Sequence, residues 1–271
     1  MKVLMLNGSA KKEGNTYQSL LEVGKELERQ GIEYEIFQIG GQPVRDCIGC
    51  GQCNENGCVF ADDKVNEFVA KAKEADGFVF GTPVYYAHPS GRVLSFLDRV
   101  FYSSGRAFAF KPAASVAVAR RGGCSASFDV MNKYYGICQM PVAGSTYWNM
   151  VHGCEPGEVK MDAEGMQTMR TLARNMTFLM KLVGLPLIAL LTLMEWLGIF
   201  ALGISQFITN KLAALIFFIA CCCLLFGKVT LREAAAMFAG SFCVFALPYA
   251  AEWILERISD FNRCVKDWVR G

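Results

Sequence analysis

Four cysteines fall within twelve residues of this 271-residue chain: Cys47, Cys50, Cys53 and Cys58, spaced C-x2-C-x2-C-x4-C in "CIGCGQCNENGC". Thiolates this close in sequence can wrap one metal centre, and Gly49, Gly51 and Gly57 between them let the backbone curl tightly. The spacing approaches the C-x2-C-x2-C-x3-C run of bacterial ferredoxins, whose fourth cysteine serves another cluster. Spacing alone suits an iron–sulfur cluster, a zinc ion or plain reduced thiols. Disulfides are not expected. "MKVLMLNGSA" has neither the long apolar core nor the cleavage site of a secretory signal, which points to the cytoplasm, where thiols stay reduced.

Three further stretches carry chemistry. "NGSAKKEGNTYQ" (7–18) has small residues, hydroxyls and an amide just where a helix would begin, which is how a chain cradles phosphate. It is neither a Walker A loop nor G-x-G-x-x-G, since five residues separate Gly8 from Gly14 and Asn15-Thr16 follows. "GTPVYYAHPSGRVLSFLDR" (81–99) offers backbone polar groups at Thr82-Pro83-Val84 and the flat rings of Tyr85 and Tyr86, suited to the rim of a planar heteroaromatic ring. His88, before Pro89, reads as a positional residue rather than an acid or base. "ARRGG" (119–123) adds the positive charge of Arg120 and Arg121 and a pliable backbone. Its alternative is two solvated arginines.

Such loops need a frame, and residues 1–181 supply one. Strand-like runs at 2–7, 33–39, 77–83, 114–119 and 140–148 alternate with helical stretches at 16–31, 63–76, 91–102, 125–138 and 162–182. Regular alternation predicts an α/β fold, a doubly wound parallel sheet that binds ligands at the carboxyl ends of its strands. The three loops all follow strands, so they share that edge. Net charge is +2, which implies no nucleic-acid partner.

The chain changes character near residue 182. The whole is 53% hydrophobic and 19% charged, a mixture that fits two unlike parts better than one average part. Uncharged runs cover 182–194, 196–210, 212–227 and 234–251, which predicts an all-α membrane hairpin over 182–271. Spans at 212–227 and 234–254, with 184–210 lying along the interface, would keep Arg257, Arg263, Lys266 and Arg270 on the cytoplasmic side. The alternative is a helical hairpin buried in an oligomer. Cys221, Cys222 and Cys223 point in different directions on a helix and read as small hydrophobes. Cys124, Cys138 and Cys154 receive no role.

Taken in order, "NGSAKKEGNT", "CIGCGQC…C", "GTPVYYAHPSGRVLSFLDR", "ARRGG" and "MPVAGSTYWN" resemble the NAD(P)H-dependent FMN reductase family, in particular its iron–sulfur flavoprotein branch. The resemblance implies a flavodoxin-like fold of five parallel strands in the order 2-1-3-4-5, bound FMN, NAD(P)H as reductant, and a homo-oligomer, dimer or tetramer, with the flavin near an interface. Carried over by motif, Ser9, Lys11, Asn15 and Thr16 would hold the phosphate. Pro83, Val84, Tyr85 and Tyr86 would line the isoalloxazine, with Arg120, Arg121 and Gly122 on its far side. Cys47, Cys50, Cys53 and Cys58 would hold one [4Fe-4S] cluster near FMN. The tail is also similar to the hairpin of conjugative pilins, two apolar helices joined by a basic turn. The expectation is a membrane-anchored FMN oxidoreductase that passes electrons to a quinone, a flavin or a one-electron acceptor, small molecule or redox protein. The alternatives are a pilin-like structural subunit carrying the flavin domain, and a soluble FMN-dependent quinone or azo reductase.

Overall fold

The computed structural model describes residues 1–182 and 184–270. Its contacts divide the chain into two compact units, Met1–Leu182 and Val183–Gly271.

The first unit alternates strand and helix: β1 (Lys2–Asn7), α1 (Asn15–Arg29), β2 (Glu33–Gln38), α2 (Val65–Glu74), β3 (Gly77–Tyr85), β4 (His88–Pro89), α3 (Gly91–Ser104), β5 (Ala113–Ala119), α4 (Cys124–Ile137), β6 (Met150–His152) and α5 (Ala163–Lys181). The parallel strands pair in the order β2-β1-β3-β5-β6. With the two-residue β4 set aside, which pairs antiparallel with β3, this is the expected flavodoxin-like order. β5 is buried at every position because helices cover both faces of the sheet. One face packs an aromatic core of Phe37, Phe68, Phe78, Phe80, Phe96 and Tyr135, drawing on α2, α3 and α4. The other packs Leu20, Val23, Leu27, Met169, Leu172 and Met176 of α1 and α5, at the three- and four-residue spacing of an amphipathic helix.

The fifth parallel strand departs from the sequence reading. An uninterrupted strand was expected at 140–148, but the chain pairs at Val142 with Ala113, leaves the sheet, and rejoins it at Met150–His152 beside Ala117–Ala119. The excursion is held from behind: Asn175 Nδ2 donates to Gly144 O at 2.9 Å, Ser145 Oγ to Thr168 O at 2.6 Å, and Ala117 N to Asn149 O at 3.0 Å. Tyr147 and Trp148, apolar enough to look like strand residues, stack edge-on and exposed at its tip.

The second unit is two long helices, α6 (Gly184–Leu225) and α7 (Leu231–Arg270). The separate interfacial segment expected at 184–210 is not seen. α6 runs unbroken through Lys211, because no glycine–proline pair or cap stops it there. The turn between the helices has clear local causes. Gly227 takes a left-handed φ of 62° and lets Lys228 N reach Cys223 O, while Thr230 and Glu233 cap each other's backbone at the start of α7. Small residues face inward between the helices: Ala213, Ala220, Ala234 and Ser241, whose Oγ donates to Ala213 O at 2.8 Å. Large ones face outward, among them Phe218, Phe242, Leu247 and Trp253.

Within the first unit, Glu26 of α1 is 3% exposed and pairs with Arg174 of α5 at 2.7 Å and with Arg29 at 3.0 Å. Burial alone would push this carboxyl up, but the two arginines outweigh it and hold its pKa below the ordinary value. A depressed folded-state pKa stabilises the fold above the ordinary carboxylate range, and the contribution disappears as pH falls through the depressed value. Glu26→Gln should therefore lower the unfolding free energy at pH 7 by about 1–3 kcal/mol. The gap to wild type should close progressively on acidification, as measured by urea unfolding across pH.

Candidate functional site

Each parallel strand ends at the same edge, and the loops found there are built from the ends of β1, β3, β5 and β6. At the end of β1, Asn7 is fully buried and its side chain holds the next loop in shape. Asn7 Oδ1 accepts from Ser9 N at 3.2 Å, and Nδ2 donates to Lys12 O at 3.2 Å and to Gln38 Oε1. Gln38 Nε2 closes the circuit on Ser9 O at 2.7 Å. Ser9 Oγ in turn accepts from Lys11 N at 3.1 Å. Gly8 is the point of closest approach: a Cβ there would lie 2.2 Å from Val93 Cγ2 and 2.5 Å from Gly81 O. α1 then starts at Asn15 with no side-chain cap and no acidic residue in its first turn. The N–H groups of that turn and the helix dipole thus favour an anion from outside the protein.

The predicted phosphate residues do not all behave alike. Ser9 and Thr16 are buried at this helix start, and Lys11 is exposed beside it. The Asn15 amide is engaged elsewhere: Nδ2 donates to Glu155 O at 2.9 Å, and Oδ1 accepts from Gly157 N at 2.7 Å. It fastens the loop after β6 to the loop after β1. Glu158 completes that second loop by accepting from Cys154 N and from Glu155 N, the latter at 2.7 Å. Those backbone donors, with Arg120 nearby, hold the Glu158 carboxyl below its ordinary pKa.

At the end of β3, Pro83 and Val84 are half-buried while Tyr85 and, just beyond the strand, Tyr86 project into solvent, Tyr86 fully. Tyr85 pairs with His88, so Tyr86 and Ala87 form a two-residue hairpin turn with φ of 51° and 57°. Left-handed backbone at two non-glycine residues is strained, at roughly 1–2 kcal/mol each. The loop after β5 clamps it. Arg120, Arg121 and Gly122 lead to Gly123, whose φ is 89° and whose added Cβ would sit 2.5 Å from Ala87 Cα. Gly122, with nothing within 4 Å, has no such constraint. Gly123→Ala should thus destabilise the fold by about 2–3 kcal/mol, whereas Gly122→Ala should stay within about 0.5 kcal/mol of wild type in thermal unfolding.

The four loop cysteines follow β2. Gly49 and Gly51 have φ of 62° and 68°, the left-handed turns that a curled loop needs. Cys47, Cys50, Cys53 and Cys58 line one small pocket together with Ile48, Phe60, Arg99 and Tyr102. Burial, and then the neighbouring Cys58, Cys50 and Cys47 sulfurs, raise the pKa of the Cys53 thiol. Among the described residues, no three His, Cys, Asp or Glu side chains close on a single-ion geometry. Cys58 is the best fixed of the four. It is buried, and its N and O are matched by Asn66 Oδ1 at 2.9 Å and Nδ2 at 2.8 Å. Two arginines seven residues apart on one face of α3 fasten this segment: Arg92 to Gly40 O, and Arg99 to Phe60 O, Asp63 and the Cys58 sulfur. Asn7, Gln38, Arg92 and Arg99 were not singled out from sequence, because each acts on a partner remote in the chain. Cys124 lies buried at the start of α4, where burial and then Asp162 push its thiol up to about 11, an inert structural thiol.

Residues 1–155 match the family model described as NADPH-dependent FMN reductase. An iron–sulfur flavoprotein of Methanocaldococcus jannaschii is 32% identical over 195 residues, covering 68% of this chain and 99% of that protein. One from Methanosarcina thermophila is 27% identical over 190 residues, covering 68% and 97%. An NAD(P)H:quinone oxidoreductase structure from Methanothermobacter marburgensis superposes with a TM-score of 0.50 at 16% identity, covering 65% of this chain and 98% of that one, which shows the shared fold. With its flavodoxin-like sheet and its loops gathered at one edge, this chain belongs to the NADPH-dependent FMN reductase family and is an NAD(P)H-dependent FMN oxidoreductase.

Proposed function

We propose that the enzyme is anchored in the membrane by its helical hairpin and passes electrons from NAD(P)H-reduced FMN through a [4Fe-4S] cluster on Cys47, Cys50, Cys53 and Cys58. The acceptor is then a quinone, a free flavin or a one-electron redox partner. The observation that carries this reading is the convergence of four thiols on one pocket within the flavodoxin-like unit. Four cysteines lining one pocket supply the thiolate donor set that a [4Fe-4S] cluster takes. The relatives named iron–sulfur flavoproteins support the same choice.

FMN supplies the hydride chemistry, and the protein supplies position and charge. Ser9, Lys11, Thr16 and the free N–H groups of the first turn of α1 would hold its phosphate, with Asn15 acting through the 155–157 loop. Pro83, Val84, Tyr85 and Tyr86 would form one wall of the ring site, and a second copy of the chain would cover the exposed tyrosines. Arg120, Arg121 and Gly122 would face the ring's polar edge, where positive charge favours the reduced, anionic flavin.

Membrane insertion is supported by the packing of the hairpin, which is inverted relative to a soluble protein: small residues inside, large apolar residues outside. Both helices pass the length and composition requirement for a span, over Pro186–Leu225 and Leu231–Asp267. At 1.5 Å per residue, a 42-residue helix is roughly 63 Å long, about twice a hydrocarbon core. The charge-free stretches flanking the turn would therefore form the span, and the rest of each helix would emerge from it. Arg257, Arg263, Lys266 and Arg270 would then lie on the cytoplasmic side with the flavin unit.

Anaerobically purified protein should show flavin absorbance that NAD(P)H bleaches, together with iron and acid-labile sulfide in equal amounts. Flavin without iron would remove the cluster. Release of the chain from membranes by alkaline carbonate would remove the anchor. Asn7→Ala, which lets the phosphate loop collapse, should weaken FMN binding roughly tenfold or more, about 1.4 kcal/mol, in a fluorescence titration.

A further inference from the structure

The Arg99 guanidinium is 1% exposed, and its donors are distributed with little freedom. Nη1 pairs with Asp63 and reaches Arg45 O at 3.4 Å, and Nη2 donates to Phe60 O at 2.8 Å. Those oxygens fix the plane of the fork, and the Nε donor is thereby directed at Cys58 Sγ at 3.3 Å. Asp63 already supplies the counter-charge that a buried guanidinium requires. The bond to sulfur is therefore not needed to neutralise Arg99. To a neutral thiol such a bond is weak, but to a metal-bound thiolate it is charge-assisted, and it strengthens as the sulfur gains negative charge.

We propose that Arg99 is a positioning residue that sets the reduction potential of the cluster by donating to the Cys58 ligand sulfur. The proposal rests on the cluster reading above. A donor that binds the sulfur more tightly in the more negative, reduced state raises the potential. The sulfur it reaches belongs to the cysteine whose backbone is locked by Asn66. Tyr102, one turn further along α3 and lining the same pocket, offers an exposed ring rather than a second cation.

The test is spectroelectrochemical titration of the full chain, purified anaerobically in detergent, with iron, sulfide and FMN assayed on the same sample. Wild-type protein without iron and sulfide sinks the cluster reading, and with it this proposal. With the cluster present, two variants are compared. Arg99→Lys keeps the charge but cannot serve Asp63, Phe60 O and the sulfur from one head group. Arg99→Met combined with Asp63→Asn removes the ion pair as a unit. Both should retain iron and FMN, leave the flavin midpoint unchanged and lower the cluster midpoint by a tenfold shift in its one-electron equilibrium, about 59 mV. An unchanged cluster midpoint in a variant that keeps its iron overturns the proposal and leaves Arg99 as a structural clamp. If the variants lose the cluster, wild type decides through its resonance Raman iron–sulfur stretches. A shift on exchange into D2O supports the N–H···S bond, and identical spectra in H2O and D2O overturn it.

Discussion

In a sheet whose principal strands all run parallel, every strand delivers its carboxyl end to the same edge, and every connection must return across a face. That constraint organises this protein. Asn7, Gln38, Tyr85, Ala119 and His152 close the five strands at one edge. Whatever follows them is brought together without any loop having to seek the others. What remains is to keep the loops apart at the right spacing, and the protein does this with side-chain amides: Asn7 and Gln38 between the first two loops, Asn15 between the first and the last. The segment after β2 is too long to fit at the edge. It folds down the flank of α3 instead, where Arg92 and Arg99 anchor it and its sulfurs collect.

The two units are packed on different principles. In the first, aromatic rings are buried between sheet and helices, and ion pairs such as Glu26–Arg174 tie helix to helix. In the second, alanines and a serine are buried between the helices beside a few larger contacts such as Phe217–Phe238, while many phenylalanines and leucines are turned outward. A polar knot lies between its helices, where Ser259 Oγ donates to Glu195 at 2.7 Å and Asn262 Nδ2 bridges Glu195 and Thr192. An apolar pair of helices can slide along each other, and a hydrogen-bonded knot of this kind fixes their register.

Much of the first unit was legible in the sequence because its signals are local. Strand and helix periods, glycine-bearing loops and cysteine spacing are read within a dozen residues. The strand expected at 140–148 failed for the same reason. Its apolar pattern continues through Tyr147 and Trp148, but pairing stops where Asn175 and Thr168, far along the chain, take hold of Gly144 and Ser145. Asn15 was expected at the phosphate, yet its amide serves the 155–157 loop, a partner about 140 residues away in the chain. Arg99 sits in a quoted motif and drew no role, since nothing in "FLDR" reveals that a cysteine forty-one positions earlier meets its Nε. In the tail, the single charge of Lys211 was read as a boundary, although a long side chain on a helix surface does not end the helix.

The contact between Gly123 and the Tyr86-Ala87 turn has a further meaning. Two loops from different strands share one volume, and neither can change shape alone: a side chain at 123 displaces the backbone at 87, and an altered turn opens a gap beside 123. Across descendants of this sequence, the two sites should be inherited as a unit. A lineage that lengthens the 86–87 hairpin would be released from glycine at 123, and one that keeps the tight turn would not.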